Sequence, residues 1–139
     1  MNWDQNDQDL LSLVCWREAR GEGELGMTAV CCVIANRVGK PGFARTLHDV
    51  VMGRNQFSSM SIPTDSQFQL HPKDGDLQYL YCQSLVQQVM AGTVNDPTHG
   101  ALYYANLKDS TSGWFFNHIV ADTVNHPLLA TIGHQNFYR

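Results

Sequence analysis

Apolar positions recur at helical spacing in three stretches of the chain. In the first, Leu10, Leu11, Val14 and Cys15 form a stripe that predicts a helix from about Asp9 to Arg20. Asp7 or Asp9 offers an acceptor for its start, and Gly21 a stop. The second stretch, roughly Met27 to Val38, has only Thr28, Asn36 and Arg37 as strongly polar members. A helix apolar nearly all round is a buried central helix. Gly39, Pro41 and Gly42 break the chain after it. The third runs from about Asp76 to Met90, with Leu77, Leu80, Tyr81, Leu85 and Val89 as its core face and Gly92 at its end.

Shorter signals fill the gaps. Thr46-x-x-Asp49 resembles a capping box and opens a short helix through Leu47, Val50 and Val51. Residues 53–76, rich in Gly, Asn, Asp and Pro, read as a long irregular stretch, a common site of function in compact domains. After residue 93 the helical period fades. Ala101–Ala105 and the Trp114–Phe116 region suit short strands or extended segments. Leu128 to Tyr138 is apolar without a clear period. The pattern predicts an α+β fold, mainly helical with a small irregular β part, in one domain over residues 1–139.

Composition narrows the classes. The chain has 139 residues, 43% hydrophobic and 16% charged, enough to bury a core without staples. A net charge of −4 with no Lys/Arg cluster argues against a nucleic-acid groove. No apolar run is long enough to span a bilayer, and the N-terminus, with three Asp and no Lys or Arg, lacks the marks of a secretory signal. The expectation is synthesis in the cytosol, with no membrane partner. Cys15, Cys31, Cys32 and Cys82 show no C-x-x-C spacing, and buried free thiols are the expected state.

Glu18 is the sharpest candidate for chemistry. It follows Val14 by four residues and Leu11 by seven, so it sits on the apolar stripe in the last turn of the first helix. Desolvation and the negative end of the helix both favour a protonated carboxyl, which a general acid in glycoside cleavage needs. The alternative is a helix-end Glu that swings to solvent or pairs with Arg17 or Arg20. Glu22 and Glu24 follow, and a second acid would permit a two-carboxylate glycosidase. Nine of the fourteen aromatics lie beyond residue 78. Tyr and Trp offer an apolar face with a polar tip, which suits sugar rings. Alternation in Ala101–Asn106 places Tyr104 and Asn106 on one face, the better candidates for a cleft. Six His residues show no tight metal-ligand spacing, and no metal is expected.

These residues bring a family into view. Trp16-Arg17-Glu18-Ala19-Arg20-Gly21-Glu22, then Gly26, then Val33-x-x-Asn36-Arg37-Val38 resemble the catalytic domain of SleB-type, spore cortex-lytic cell-wall hydrolases. Gln56-Phe57-Ser58, Gly100-Ala101-Leu102-Tyr103-Tyr104-x-Asn106 and Ile132-Gly133-x-x-x-Phe137-Tyr138 continue the resemblance in family order. It implies a lysozyme-like fold and cleavage of peptidoglycan between N-acetylmuramic acid and N-acetylglucosamine by lytic transglycosylation. Glu18 is then the acid that protonates the glycosidic oxygen and the base that helps close a 1,6-anhydro ring. Ser58, Tyr104, Asn106, Gln56 and Phe57 become groove contacts, and Glu22 a support of the turn or the second acid of a hydrolytic muramidase. The resemblance implies no cofactor, a peptidoglycan glycan strand as partner, and a monomer. The family often carries His two residues before the closing Phe; here Gln135 stands there, beside His134. A bare catalytic domain resembles a bacteriophage endolysin, released from the host cytoplasm to reach the wall.

Overall fold

The computed structural model describes residues 2–54 and 56–139. The first helix, α1 (Gln5–Ala19), starts four residues before the expected Asp9. Asp4 rather than Asp7 or Asp9 caps it. The Asp4 side chain accepts the Asp7 N–H at 2.9 Å, and the Asp7 side chain accepts the Asp4 N–H at 3.2 Å. This reciprocal cap satisfies two amides that the helix leaves unpaired, so a wholly polar first turn can form. The second helix, α2 (Gly23–Arg37), buries ten of its fifteen residues, as a central helix must. α3 (Leu47–Met52) is capped by Thr46, which accepts the Asp49 N–H at 3.1 Å. α4 (Ser58–Ser61) is a single turn within the irregular stretch.

The long helix α5 (Leu77–Ala91) is capped by Asp76 and ends at Gly92, whose φ of 71° no β-carbon residue adopts readily. Its buried face differs from the expected one. Cys82, Leu85 and Val86 are inside, whereas Leu77 is 76% and Leu80 50% exposed. The true stripe is rotated toward Cys82, Leu85, Val86 and Val89, which share the i, i+3, i+4, i+7 spacing. Helices α1, α2 and α5 close around Leu11, Val14, Cys15, Val30, Ile34 and Leu85. All four cysteines are free and buried, as expected. Burial pushes the Cys82 thiol up to about 12 and that of Cys32 further, so neither is a nucleophile at neutral pH. No described helix is long and apolar enough to cross a membrane.

The remaining chain builds a small antiparallel sheet of β1 (Tyr103–Ala105), β2 (Leu128–Ile132) and β3 (Gln135–Tyr138), in the order β1-β3-β2. β2 and β3 form a hairpin whose Ile132 and Gln135 pair across Gly133-His134. Gly133, at φ 58°, takes the first central position of that two-residue turn. The register slips between Leu128 and Ala130, a bulge that spoils the alternation and hides the strand from a periodicity reading. Trp114–Phe116, expected to be extended, is helical: Ser112 caps α6 (Gly113–Phe115), which runs into a π-helical turn over Phe116–Val120. The cap overrides the strand preference of the aromatics.

Two adjacent residues at the end of α2 hang the sheet on the helices. Asn36 Nδ2 donates to the Ala101 carbonyl at 3.1 Å and to Asp96 Oδ2 at 2.9 Å. Arg37 Nε donates to the Leu102 carbonyl at 2.7 Å. Asp96 also accepts from the Thr98 N–H and hydroxyl and from the Gly100 N–H. Burial alone would raise the Asp96 carboxyl, but hydrogen bonds from Thr98, Asn36 and Gly100 outweigh it and hold it below the ordinary value. A lowered folded pKa means that ionised Asp96 contributes fully above the ordinary Asp range and less as pH falls through the lowered value. Asp96→Ala should therefore cost about 2–4 kcal/mol of unfolding free energy at neutral pH, several charge-assisted bonds being lost together. In urea titrations the gap between parent and variant should narrow steadily as the solution is taken below pH ~4.

Candidate active site

Glu18 lies in the last turn of α1 and is half-buried. Each of its carboxylate oxygens is held by a hydroxyl from elsewhere in the chain. Ser59 Oγ donates to Oε2 at 2.7 Å. The Tyr104 hydroxyl donates to Oε1 at 2.9 Å. Neither Arg17 nor Arg20 pairs with it. The Arg17 guanidinium turns to the far side of the same loop, where Nη1 donates to the Ser59 carbonyl and Nε to the Leu70 carbonyl, both at 3.0 Å. Arg20 lies over the Trp16 ring, 4.1 Å from its centroid, and donates to the Trp16 carbonyl. Adjacent residues 17 and 18 thus hold residue 59 by its backbone and its side chain.

Tyr104 is carried by β1 and stacks on Phe137 of β3, with centroids 5.9 Å apart. Burial lifts its phenol well above the ordinary value; the Glu18 charge and the hydrogen bond to it add to that, and Arg37 opposes. Arg37 is 8% exposed. Its guanidinium lies 5.2 Å from the Phe43 ring, 5.4 Å from Phe57 and 5.9 Å from Tyr103. Burial lowers its pKa, while Tyr104, Tyr103 and Glu18 pull it back up. An arginine so placed stays a cation and lends positive potential to the Glu18 side of the site.

Beside this cluster opens a cleft of about 490 Å³, lined by Arg37, Phe43, Gln56, Tyr103, Tyr104 and Trp114 among others. Tyr104 is both a wall of the cleft and the partner of Glu18. Aromatic faces with a few polar groups at the inner end suit a ligand with apolar faces and hydroxyl edges.

The sequence-predicted residues distribute unevenly. Glu18 and Tyr104 meet. Gln56 accepts from Arg37 Nη1 at 3.4 Å and lines the cleft; Phe57 lies buried beneath the same guanidinium. Ser58 points elsewhere: its Oγ donates to Asp65 at 2.6 Å, and the next serine, Ser59, reaches Glu18. Periodicity cannot choose between two adjacent serines; the Arg17 bond to the residue-59 carbonyl does. Asn106 is taken up by its own turn, accepting the Lys108 N–H and donating to Asp109, and it lines a separate hollow of about 240 Å³ with Thr131, His134 and Asn136. Glu22 is exposed at the start of α2 and makes no capping bond. His134 is exposed in the hairpin turn, and Gln135 sits on β3 with a buried Oε1 that finds no partner among the described residues. Arg37 and Ser59 are the site residues that sequence reasoning missed. Among the described residues no three His, Cys, Asp or Glu side chains gather as a metal-binding group.

Residues 21–138 match the family described as Cell Wall Hydrolase. The chain belongs to that family. The matched interval begins three residues after Glu18. The spore cortex-lytic enzyme of Bacillus cereus is 32% identical over 116 residues, covering 82% of this chain and 40% of that protein. The chain spans 40% or less of the length of each curated relative it matches. Among solved structures, it is similar to the catalytic domain of the germination-specific lytic transglycosylase SleB from Bacillus anthracis, with TM-score 0.75 and 30% identity over 99% of this chain and 98% of that one. The catalytic domain of Bacillus cereus SleB gives a TM-score of 0.74 at 30% identity, over 99% and 93% of the two chains. The expected lysozyme-like α+β fold and the SleB-type resemblance are both borne out.

The clasp on Glu18 has a spectroscopic consequence. A phenol whose folded pKa is raised keeps its proton after ordinary tyrosines, near pH ~10, have lost theirs. Its contribution to stability is complete below that range and is lost as pH climbs through it. In an alkaline titration of tyrosinate absorbance, Tyr104→Phe should remove amplitude only from the late part of the curve. Removal of an early-titrating phenol instead would contradict the clasp.

Proposed function

We propose that residues 1–139 act as one catalytic unit that cleaves peptidoglycan glycan strands between N-acetylmuramic acid and N-acetylglucosamine as a lytic transglycosylase. The observation that carries this reading is the half-buried Glu18 carboxylate, gripped by the Ser59 and Tyr104 hydroxyls beside an aromatic-walled cleft. The structural likeness to a domain described as a lytic transglycosylase, across nearly the whole of both chains, supports it.

Glu18 is proposed to act twice. Its proton passes to the bridging oxygen as the bond from that oxygen to the muramoyl C1 breaks, through an oxocarbenium-like state. The carboxylate left behind sits near the Arg37 cation, which offsets its charge. It then takes the proton of the muramoyl C6 hydroxyl as O6 bonds to C1, giving a 1,6-anhydro ring and regenerating the acid. No water enters, so one carboxyl suffices. Hydroxyl partners suit this cycle. A serine or tyrosine O–H can donate to a carboxylate or rotate and accept from a carboxylic acid, whereas an arginine can only donate. Ser59 and Tyr104 can therefore hold Glu18 in place in both protonation states.

Gln56 and Phe57 serve this site through Arg37, one as its acceptor and the other as its floor. Ser58 and Asn106 are proposed to contact substrate only in its outer reaches, and Glu22 to support the turn after α1. Glu18→Gln should lower peptidoglycan cleavage at least ~10²-fold, the usual weight of a general acid, while leaving binding to purified walls intact. Mass spectrometry of the parent's digest should show muropeptides one water lighter than reducing ends. Reducing ends in their place would assign a hydrolytic muramidase, and full activity in Glu18→Gln would remove the carboxyl from the mechanism.

A further inference from the structure

Trp114 is 57% exposed on the rim of the cleft. The chain around it holds it there. Ser112 caps α6 by accepting the Phe115 N–H at 3.2 Å. Phe115, half-buried on the wall of the same cleft, meets the Tyr138 ring edge-on, with centroids 5.9 Å apart. The π-helical turn that follows brings His118 back against Trp114. The two rings stack with centroids 5.2 Å apart and planes 15° apart. His118 Nδ1 lies 3.0 Å from the Trp114 carbonyl, so a proton on Nδ1 donates to it and fixes the imidazole plane. One residue anchors the segment, its neighbour faces outward, and a third backs that neighbour from behind. More than half of Trp114 nevertheless stays in water, with His118 against the ring on one side only.

We propose that Trp114 is a stacking platform for the apolar face of an N-acetylhexosamine ring, at a subsite removed from the bond held at Glu18. This rests on the glycan-cleaving reading above and extends it. The location supports the assignment. The indole shares one cleft with Phe43, Tyr103, Tyr104 and Phe115, and of these Tyr104 leads to the acid. A strand that puts its scissile bond at Glu18 must lay further sugar rings along that cleft. Pyranose rings carry C–H faces that pack on an aromatic plane and hydroxyl edges that reach solvent or polar walls. A rim indole that is already rigid gives such contact at little entropic cost.

A platform away from the reacting bond contributes to binding more than to chemistry. On soluble peptidoglycan strands, Trp114→Ala should raise KM about threefold to tenfold, the affinity equivalent of one aromatic stacking contact, and change kcat much less. Trp114→Phe should restore most of the loss, because a smaller ring still presents a face. A second measurement avoids turnover. In the Glu18→Gln chain, titration with the N-acetylglucosamine tetrasaccharide should shift tryptophan emission to the blue as the exposed indole is covered. The shift should vanish in Glu18→Gln/Trp114→Phe, since Trp16 is already buried and the half-buried Trp3 lines a different hollow, with Asp7, Val38 and Thr46. Parental KM in Trp114→Ala, or a shift that survives the loss of Trp114, would overturn the platform. If the parent chain cleaves no glycan, the catalytic reading fails on its own; a Trp114-dependent shift would then still support the platform, and no shift would overturn it.

Discussion

Both oxygens of one carboxylate are claimed by hydroxyls that lie 41 and 86 residues further along the chain. The geometry of that clasp constrains the rest of the molecule. Ser59 can reach Glu18 only if the loop that carries it is pinned to α1, and the Arg17 bonds to the Ser59 and Leu70 carbonyls do this. Tyr104 can reach it only if β1 is held at a fixed height over α2, and Asn36 and Arg37 do that through the Ala101 and Leu102 carbonyls. Asp96 in turn fixes Asn36 and closes the turn before β1. The buried polar side chains in this part of the fold thus form two chains of support that converge on the same carboxylate.

Burying so many polar groups near one site is costly unless each is satisfied. Here the pairing is nearly complete. Arg17 and Arg37 are each 8% exposed, yet they donate to backbone carbonyls and, for Arg37, to the Gln56 amide oxygen, rather than to a carboxylate. A direct Arg–Glu18 ion pair would lock the acid in its charged form, which a proton donor must be able to leave. Placing the cations on carbonyls and aromatic faces keeps positive potential near Glu18 while hydroxyls make the actual contact. The sheet packs on Ala29 and Val33 of α2 through Phe137 of β3 and through Ala101, just ahead of β1. Its role is to carry Tyr104.

How much of this was readable in the sequence depends on the range of the interaction. Glu18 was legible because its signal is local: four and seven residues back along one helix lie Val14 and Leu11. The central helix and its buried thiols were legible for the same reason. Asp4 was missed because its cap opens a turn with no apolar residue in it, and the β2–β3 hairpin because a bulge breaks the alternation. The face of α5 was rotated by about one position because an apolar side chain at a helix end, such as Leu77, can be left in water. Ser59 and Arg37 were invisible as site residues for a different reason. Their roles are set by partners tens of residues away, and nothing within a turn of either announces them. The family motif held Arg37 and Ser58 in view, but a motif cannot say which of two adjacent serines faces inward.

Nearest-neighbour pairs explain why short ordered motifs identify this fold so well despite about 30% identity. Arg17-Glu18 grips residue 59 from two sides. Asn36-Arg37 grips residues 101 and 102 in sequence. Phe115 holds the segment to Tyr138 while Trp114 beside it stays exposed. In each pair, changing the spacing by one residue would turn the second side chain by about 100° on its helix and abolish the joint grip. What must be preserved is therefore the adjacency of two residues and the order of the pairs along the chain, while the apolar residues between them can exchange as long as they fill the same volume. The acid is positioned by that adjacency more than by the apolar stripe on which it lies.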